Sequence, residues 1–298
     1  MRIEDWEARG KRVELLGHTV FYVDEEATVE PRGTILLIHG FPSASWDWWK
    51  IWPGLNRHYR LIAMDMLGFG FSDKPCPHDY RIMEQADICE ALVTHLGFDA
   101  FHVLAHDYGD TVAQEMLARQ NAGTGAGRWL SCLFLNGGLF PETHKALLVQ
   151  RLLLGPFGFL VRHAFSPASM RKSFDRVFGP ETPASDEEMD ALWRLFTRDN
   201  GQRNLHRLIH YMSDRRQHRQ RWLDALCEAI CPIGLINGSV DPVSGEHMVQ
   251  RFEQLVGQQH FISRLPNIGH YPQLEAPDGV LSAYRSFLVS NGEPAEQA

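Results

Sequence analysis

Short apolar runs alternate with helix-length amphipathic segments along most of this chain. Seven runs have the length and the β-branched or apolar content of strands: 18–25, 33–40, 60–66, 101–107, 130–137, 232–239 and 260–266. Four amphipathic segments predict helices: 79–96, 109–120, 244–256 and 274–290. Alternation of this kind predicts an α/β fold, in which a mostly parallel sheet is covered by helices on both faces.

The alternation stops between about residues 140 and 225. That stretch contains no convincing strand and is rich in Leu, Phe, Arg and His at helical spacing. We interpret it as a helical cap inserted after the sixth strand of the sheet. The predicted division is a first core part at 1–139, a cap at 140–225, a second core part at 226–291 and a disordered tail at 292–298.

Composition limits the classes of partner. The chain has 298 residues and a net charge of −8, with no long run of one sign, which argues against nucleic acid or an anionic membrane as the main partner. Five scattered cysteines without CxxC spacing predict neither disulfides nor a zinc site, and favour the cytoplasm. The start of the chain lacks the apolar core of a signal peptide.

The most apolar stretch is "ALLVQRLLLGPFGFLV", residues 146–161. Arg151 and the pair Gly155-Pro156 interrupt it, and it is too short to span a bilayer. It therefore predicts a buried or cavity-lining pair of helices. A GxG sequence at 68–70 lacks the spacing of a dinucleotide-binding turn, so we expect no cofactor, and we expect no metal.

One strand end has the pattern of a nucleophile elbow. In "AHDYG", residues 105–109, the central polar residue has a small residue two positions before it and another two positions after it. The segment lies between a predicted strand and a predicted helix. Such a turn holds its tip residue in a strained backbone conformation and requires small neighbours. Asp107 is the tip residue. The alternative interpretation is an aspartate that caps the following helix.

Other predicted strands end in residues that suit the same chemistry. "HGFP", residues 39–42, closes the strand at 33–40, and the backbone N–H groups of Phe41 and Tyr108 are candidates for an oxyanion hole. Asp241 and His270 each follow a strand near the end of the chain. Ligands gather at the carboxyl ends of parallel strands. The order of Asp107, Asp241 and His270 is the order nucleophile, acid, histidine of α/β-hydrolases.

With "FGFSDKP", "HDYGDTVAQE", "NGGLFPETH" and "HYPQLEAP", the sequence resembles the α/β-hydrolase superfamily from about residue 15 to 290. Within it, the chain resembles the branch of epoxide hydrolases and haloalkane dehalogenases that use an aspartate nucleophile. This resemblance implies an α/β-hydrolase fold with an eight-stranded, mostly parallel sheet and a helical cap after the sixth strand. It also implies catalytic roles for Asp107, Asp241 and His270.

A carboxylate nucleophile suits attack on a saturated carbon. Asp107 would open an epoxide or displace a halide and form an alkyl ester. His270 would then activate water against that ester, while Asp241 orients the imidazole. The leading hypothesis is a hydrolase that converts a small apolar epoxide and water to a diol. The alternatives are a haloalkane dehalogenase, an ester or lactone hydrolase, and a non-catalytic protein that binds a ligand or a partner.

The leaving group decides between these substrates. Dehalogenases of this branch usually place Trp directly after the nucleophile, where this chain has Tyr108. Epoxide hydrolases use cap tyrosines to protonate the epoxide oxygen, and Tyr211 is the candidate here, with packing as the alternative role. It is the only tyrosine between 109 and 270, so His206, His210 or Trp193 would have to replace a second one. We expect Trp48, Tyr108 and Tyr211 to contact the substrate.

Overall fold

A computed structural model describes residues 1–146, 148–161 and 165–294 of the chain. The described residues form one sheet of eight strands in the order β1-β2-β4-β3-β5-β6-β7-β8. The strands are β1 (Gly10–Leu15), β2 (His18–Glu25), β3 (Gly33–Ile38), β4 (Tyr59–Met64), β5 (Ala100–His106), β6 (Arg128–Leu135), β7 (Ile233–Gly238) and β8 (Phe261–Leu265). β2 pairs antiparallel with β1 and with β4, and the remaining pairs are parallel. The predicted α/β-hydrolase fold is therefore confirmed.

The sequence pattern identified seven of these strands but not β1. In Gly10–Leu15 only Leu15 is buried, and the strand carries two exposed basic residues. Its partner on one side is β2, to which the tight turn at Leu16 and Gly17 connects it. An edge strand that buries so little has no apolar run or alternation to mark it.

Helices cover both faces of the sheet. They are α1 (Ile3–Arg9), α2 (Trp52–Asn56), α3 (Ile82–Leu96), α4 (Tyr108–Asn121), α5 (Leu148–Leu154), α6 (Gly158–Val161), α7 (Pro167–Phe174), α8 (Asp186–Thr197), α9 (Leu205–Leu208), α10 (Tyr211–Gln217), α11 (Arg219–Cys227), α12 (Glu246–Leu255), α13 (Pro272–Glu275) and α14 (Pro277–Ser290). Two 3₁₀ segments lie at Ser45–Trp48 and Arg198–Asn204. The helix predicted at 274–290 is divided because Pro277 takes the first position of α14.

The described residues between β6 and β7 contain helices and no strand, as expected for a cap. The boundary that the sequence suggested at residue 225 falls inside α11, which packs against α4. The buried carboxylate of Glu115 on α4 joins the two helices, since it accepts hydrogen bonds from Arg221 and from the indole of Trp222. The division of the chain into core and cap stays a prediction.

The apolar stretch at 146–161 forms the helices α5 and α6, in which Leu153 is buried. Five of its large side chains are exposed: Leu148, Leu152, Phe157, Phe159 and Leu160. The carbonyl of Pro294 accepts a hydrogen bond of 2.8 Å from Arg32, and disorder of the tail stays a prediction. Residues 295–298 lie outside the described residues.

The central parallel strands form the core beneath the site. Residues 35–38 of β3 and 61–64 of β4 are wholly buried, because helices cover both faces of the sheet. Among the described residues no helix combines the length and apolar character needed to cross a bilayer.

At Gly109, α4 packs closely against the end of β3. A Cβ atom at this position would lie 2.3 Å from the carbonyl oxygen of Ile38 and 2.6 Å from that of His39. Because both contacts are to backbone atoms, no side-chain rotation relieves them. We expect Gly109→Ala to lower the free energy of unfolding by about 1–3 kcal/mol, measured by chemical denaturation. Gly33→Ala is the control, since its Cβ would lie 3.9 Å from Tyr59. Equal stability of the two variants would contradict the close approach.

Candidate active site

Asp107 lies at the junction of β5 and α4 in a strained backbone conformation. Its φ is +48° and its ψ is −104°, outside the regions that residues with a Cβ atom ordinarily adopt. The Asp107 N–H donates to the carbonyl of Leu135 at 3.1 Å, and its carbonyl accepts from the N–H of Asp110 at 3.2 Å. Strain of this kind persists where surrounding structure fixes the turn, and it is characteristic of functional sites.

The structure brings Asp107, Asp241 and His270 together at the carboxyl edge of the sheet. The His270 Nδ1 lies 2.7 Å from Asp241 Oδ2, and its Nε2 lies 3.8 Å from Asp107 Oδ1. Asp241 also accepts hydrogen bonds from the side chains of Asn136 and Ser244. All three of the predicted residues are buried. The imidazole therefore lies between two carboxylates, with one ring nitrogen facing each.

The electrostatics of this pair favour an imidazolium beside a carboxylate. Burial by itself would lower the pKa of His270, but the carboxylates of Asp241 and Asp107 outweigh burial and raise that pKa to about 9. Burial would raise the pKa of Asp241, yet the facing imidazolium and the hydrogen bonds lower it to about 2. In this geometry the proton is held on His270 rather than on Asp241.

One of the two predicted oxyanion groups lies at this carboxylate. The backbone N–H of Phe41 donates to Asp107 Oδ2 at 3.0 Å. Tyr108 is the first residue of α4, where the backbone N–H has no acceptor within the helix. The role of the Tyr108 N–H as a second donor stays a prediction.

An apolar cavity of about 90 Å³ opens onto Asp107 and His270. Its core residues are Phe41, Pro42, Asp107, Val243, His270 and Tyr271. Its other residues come from the segment between β6 and β7: Val149, Gln150, Leu153, Phe165, Met170, Ser173, Phe174, Val177, Phe196 and Leu205. A mostly apolar lining with few polar groups suits a small apolar ligand.

Tyr211 is buried at the start of α10, next to this cavity but not among its lining residues. Its hydroxyl accepts a hydrogen bond of 3.4 Å from the amide of Gln150, which does line the cavity. Its ring packs 5.8 Å from that of Phe41 and 5.2 Å from that of Tyr108. Burial raises the pKa of Tyr211, and the charge of Asp107 raises it further, so the hydroxyl keeps its proton.

The structure places Trp48 outside the cavity lining. Trp48 is wholly buried, and the centre of its ring lies 6.5 Å from that of His106. The side chain of Tyr108 is also absent from the lining. Neither His206, His210 nor Trp193, which were considered as substitutes for a second cap tyrosine, lines the described cavity.

Arg215, which the sequence pattern did not single out, is wholly buried beside the nucleophile elbow. Its Nη2 donates to the carbonyl of Asp107 at 3.2 Å and lies 3.9 Å from Asp107 Oδ1, and its Nε donates to Thr111 Oγ1 at 2.7 Å. The guanidinium also lies 4.6 Å from the centre of the Tyr211 ring. A signal was present, because Tyr211 and Arg215 are four residues apart and share one face of a helix.

Tyr271 and Gln150 are further lining residues that the sequence analysis did not select. The hydroxyl of Tyr271 donates to the carbonyl of Phe41 at 3.3 Å, and its ring stacks on those of Phe174 and Phe178. Its position directly after His270 was the available signal. Gln150 lies in the apolar stretch at 146–161, and its spacing alone does not show which way it faces.

One cluster has side chains of the types that ligate metals. The possible ligand atoms of His18, His78 and Glu84 lie within 4.8 Å of one another, and His78 Nε2 is 2.7 Å from Glu84 Oε2. These residues lie outside the cavity that contains Asp107. The five cysteines are free thiols, and none lines the cavity.

Comparisons with known proteins extend over nearly the whole chain. The family model described as alpha/beta hydrolase fold matches residues 33–277. The mesoderm-specific transcript homolog protein of Homo sapiens is 39% identical over 295 residues, which is 97% of this chain and 88% of that protein. The putative hydrolase LipZ of Mycobacterium tuberculosis is 37% identical over 256 residues, which is 86% of this chain and 88% of that protein.

Solved structures agree in fold. The haloalkane dehalogenase DbeA from Bradyrhizobium elkani superposes with a TM-score of 0.76 at 21% identity, covering 95% of this chain and 98% of that one. The epoxide hydrolase CorEH superposes with a TM-score of 0.74 at 19% identity, covering 94% and 98%. Sheet order, elbow and family match thus agree, and the chain belongs to the α/β hydrolase fold family.

Proposed function

We propose that this protein is a hydrolase with Asp107 as its nucleophile, which converts an apolar epoxide to a diol through an alkyl ester on that residue. One observation carries the proposal. In an apolar cavity, the carboxylate of Asp107 has a backbone N–H donor at 3.0 Å and the Nε2 of His270 at 3.8 Å. A carboxylate in that position can attack a carbon atom, and the neighbouring imidazole can then direct water at the resulting ester.

In the first step an oxygen of Asp107 attacks an epoxide carbon and the ring C–O bond breaks. The departing oxygen becomes an alkoxide, which must gain a proton because it is a strong base. We assign this proton to the hydroxyl of Tyr211, which burial keeps protonated and which contacts the cavity residue Gln150. The product of this step is a hydroxyalkyl ester of Asp107.

In the second step a water molecule gives its proton to His270 Nε2 and attacks the ester carbonyl carbon of Asp107. The N–H groups of Phe41 and Tyr108 face the oxyanion of the tetrahedral intermediate. Collapse of the intermediate breaks the ester bond, and the proton on His270 passes to the departing diol oxygen. The carboxylic acid left on Asp107 then gives its proton to His270, which restores the ion pair of the free protein. Asp241 stabilises the imidazolium through its bond to Nδ1.

Ester formation also prepares the base for this second step. In the free protein two carboxylates hold the pKa of His270 at about 9, so its imidazole is protonated at neutral pH. The ester removes the charge of Asp107, which lies 3.8 Å from Nε2. The pKa of His270 then falls, because one of the anions that raised it is gone. His270 then gives its proton to the Tyr211 phenolate that the first step leaves, so the imidazole becomes a base only after the nucleophile has reacted.

No observation favours the alternatives to the same degree. Displacement of a halide calls for N–H donors to the departing anion, and the lining of the described cavity contains neither Trp nor Asn. A non-catalytic binding protein has no need of the strained turn at Asp107 or of a histidine held between two carboxylates. Five free thiols suit a reducing compartment, and we propose the cytoplasm.

The two steps separate in variants of Asp107 and His270. His270→Gln should react once and stop, because only ester hydrolysis needs the imidazole; a single turnover should leave on the order of one equivalent of adduct on Asp107, seen by mass spectrometry. Asp107→Asn should form no adduct. In heavy-oxygen water, one turnover of the unaltered protein should label the Asp107 peptide. Normal steady-state turnover by His270→Gln would rule out this assignment of the base.

The pH dependence of the two steps should differ. Ester hydrolysis requires neutral His270, so its rate should rise with pH and level off above the pKa of His270 in the ester, which lies below the value of about 9 in the free protein. Ester formation does not use His270 as a base, so its rate should not show this rise. Rapid-quench measurement of each step gives both profiles. A hydrolysis rate that does not change with pH would contradict the mechanism.

Tyr211→Phe tests the proton donor. A positioned acid contributes about two to four orders of magnitude to a rate, so ester formation from an epoxide should slow by at least about a hundredfold, with ester hydrolysis nearly unchanged. Tyr271→Phe is the control, because its hydroxyl belongs to the same cavity but already donates to the carbonyl of Phe41. If ester formation were slower in Tyr271→Phe but not in Tyr211→Phe, Tyr271 would be the proton donor.

A further inference from the structure

Five large apolar side chains of one cap segment lie exposed to solvent. Among the described residues Leu148 and Phe157 are each 69% exposed, Leu152 is 53% exposed, Leu160 52% and Phe159 45%. Leu148 and Leu152 are four residues apart on α5, and α5 packs against α6, which carries Phe159 and Leu160. We call these five residues the cap patch. Other exposed large apolar residues are scattered singly, which is normal for a protein surface.

The sequence around the cap patch is basic although the chain as a whole is acidic. Residues 143–174 contain no Asp or Glu and five basic residues: Lys145, Arg151, Arg162, Arg171 and Lys172. Arg171 is paired with Asp186. Lys145, Arg151 and Lys172 form no ion pair with another described residue. Arg151 lies on α5 with Leu148 and Leu152, so it places an unpaired positive charge beside these exposed apolar side chains.

A second cavity beside α5 extends the positive surface. It encloses about 350 Å³ and is lined by Arg151, Arg215, Arg216 and His144, together with apolar residues and with no carboxylate. The Nε2 of His144 is buried and has no hydrogen-bond partner among the described residues. A cavity whose polar groups are mainly donors suits the oxygens of an anionic group such as a phosphate.

The same segment forms one wall of the cavity that contains Asp107. Val149, Gln150 and Leu153 of α5 line that cavity, while Leu148 and Leu152 are exposed. A helix that is apolar around most of its circumference is ordinarily covered on all sides. Here one side faces the substrate cavity, and in the isolated protein nothing else in the described chain covers the cap patch.

We infer that the cap patch docks on the surface of an anionic phospholipid layer, with its leucine and phenylalanine side chains among the acyl chains and the neighbouring arginines at the phosphates. Amphipathic segments with Phe and Leu beside Lys and Arg bind membrane interfaces in this way without spanning them. The inference goes beyond the proposed reaction and does not depend on the chemistry of Asp107. It places the substrate cavity directly behind the lipid-bound surface.

This inference departs from the expectation drawn from the net charge. A charge of −8 argues against broad attraction to an anionic membrane. Attraction at an interface, however, depends on the charges within about one Debye length, which is about 8 Å at physiological ionic strength. Within the acid-free segment 143–174 the local balance is positive, and that segment carries the cap patch.

Vesicle sedimentation tests the inference with the full chain. We expect the protein to sediment with vesicles of phosphatidylcholine containing about 30% phosphatidylglycerol, far less with phosphatidylcholine alone, and less again in about 1 M salt. Leu152→Ser combined with Phe157→Ser should weaken binding at least about tenfold. The matched control combines Val29→Ser with Ile230→Ser, two exposed apolar residues (50% and 66%) outside the cap. Arg151→Gln should weaken binding to the anionic vesicles alone.

Three results would overturn the inference. The first is failure of the unaltered protein to bind anionic vesicles. The second is equal loss of binding in the control pair, which would show that the cap patch has no special role. The third is a dimer, measured by analytical ultracentrifugation, that the Leu152→Ser, Phe157→Ser pair converts to monomer; the cap patch would then be an interface between two copies. Because every readout is binding or mass, these results are independent of the proposed epoxide chemistry.

Discussion

The contact between the buried guanidinium of Arg215 and the turn at Asp107 is the interaction on which the site depends. A buried charge without a partner costs several kcal/mol, so the number of buried charges around the site must balance. Burial raises the pKa values of Asp47 and Asp110 well above their usual range, which favours their neutral forms. Arg215 faces the carboxylate of Asp107, and His270 faces those of Asp241 and Asp107. Each cation thus has a carboxylate partner, and α10 cannot leave the elbow without separating Arg215 from Asp107.

The sheet and the helices between β6 and β7 contribute different parts of the site. The sheet supplies the groups whose positions must be accurate: the turn at Asp107, the N–H of Phe41 and the two strand ends that carry Asp241 and His270. All of them are fixed by backbone hydrogen bonds or by a buried hydrogen-bonding side chain. Most of the cavity wall comes instead from short helices between β6 and β7. Substitutions among the lining residues of that segment can change the shape of the cavity without moving Asp107, Asp241 or His270.

Sequence patterns predicted the core because its signals are local. An apolar run followed by a polar residue marks a strand end, and parallel strands bring such ends to one edge, so Asp107, Asp241 and His270 could be grouped before their distances were known. Signals outside the strand ends were weaker. Arg215 shares a helix face with Tyr211 and Tyr271 follows His270, but such spacing alone does not show which side chains meet the turn at Asp107. Gln150 had no signal, because spacing does not show which face of a short helix meets the cavity. A large aromatic side chain after a strand end, such as Trp48 against His106, can pack into the core as well as face a ligand.

Because the helices of the cap are short, binding at its outer surface can affect the shape of the cavity behind it. α5 has seven residues and α6 has four, and helices of this length are not stable in water unless other parts of the protein hold them. α5 is held through Val149 and Leu153 at the cavity and through contacts with α6 and α9. Its exposed leucines add nothing to that stability in water. A lipid surface that covered them would stabilise this arrangement of the helix by the free energy of binding. Since the same helix forms the cavity wall, binding at the cap patch and the shape of the cavity at Gln150 and Leu153 are thermodynamically linked.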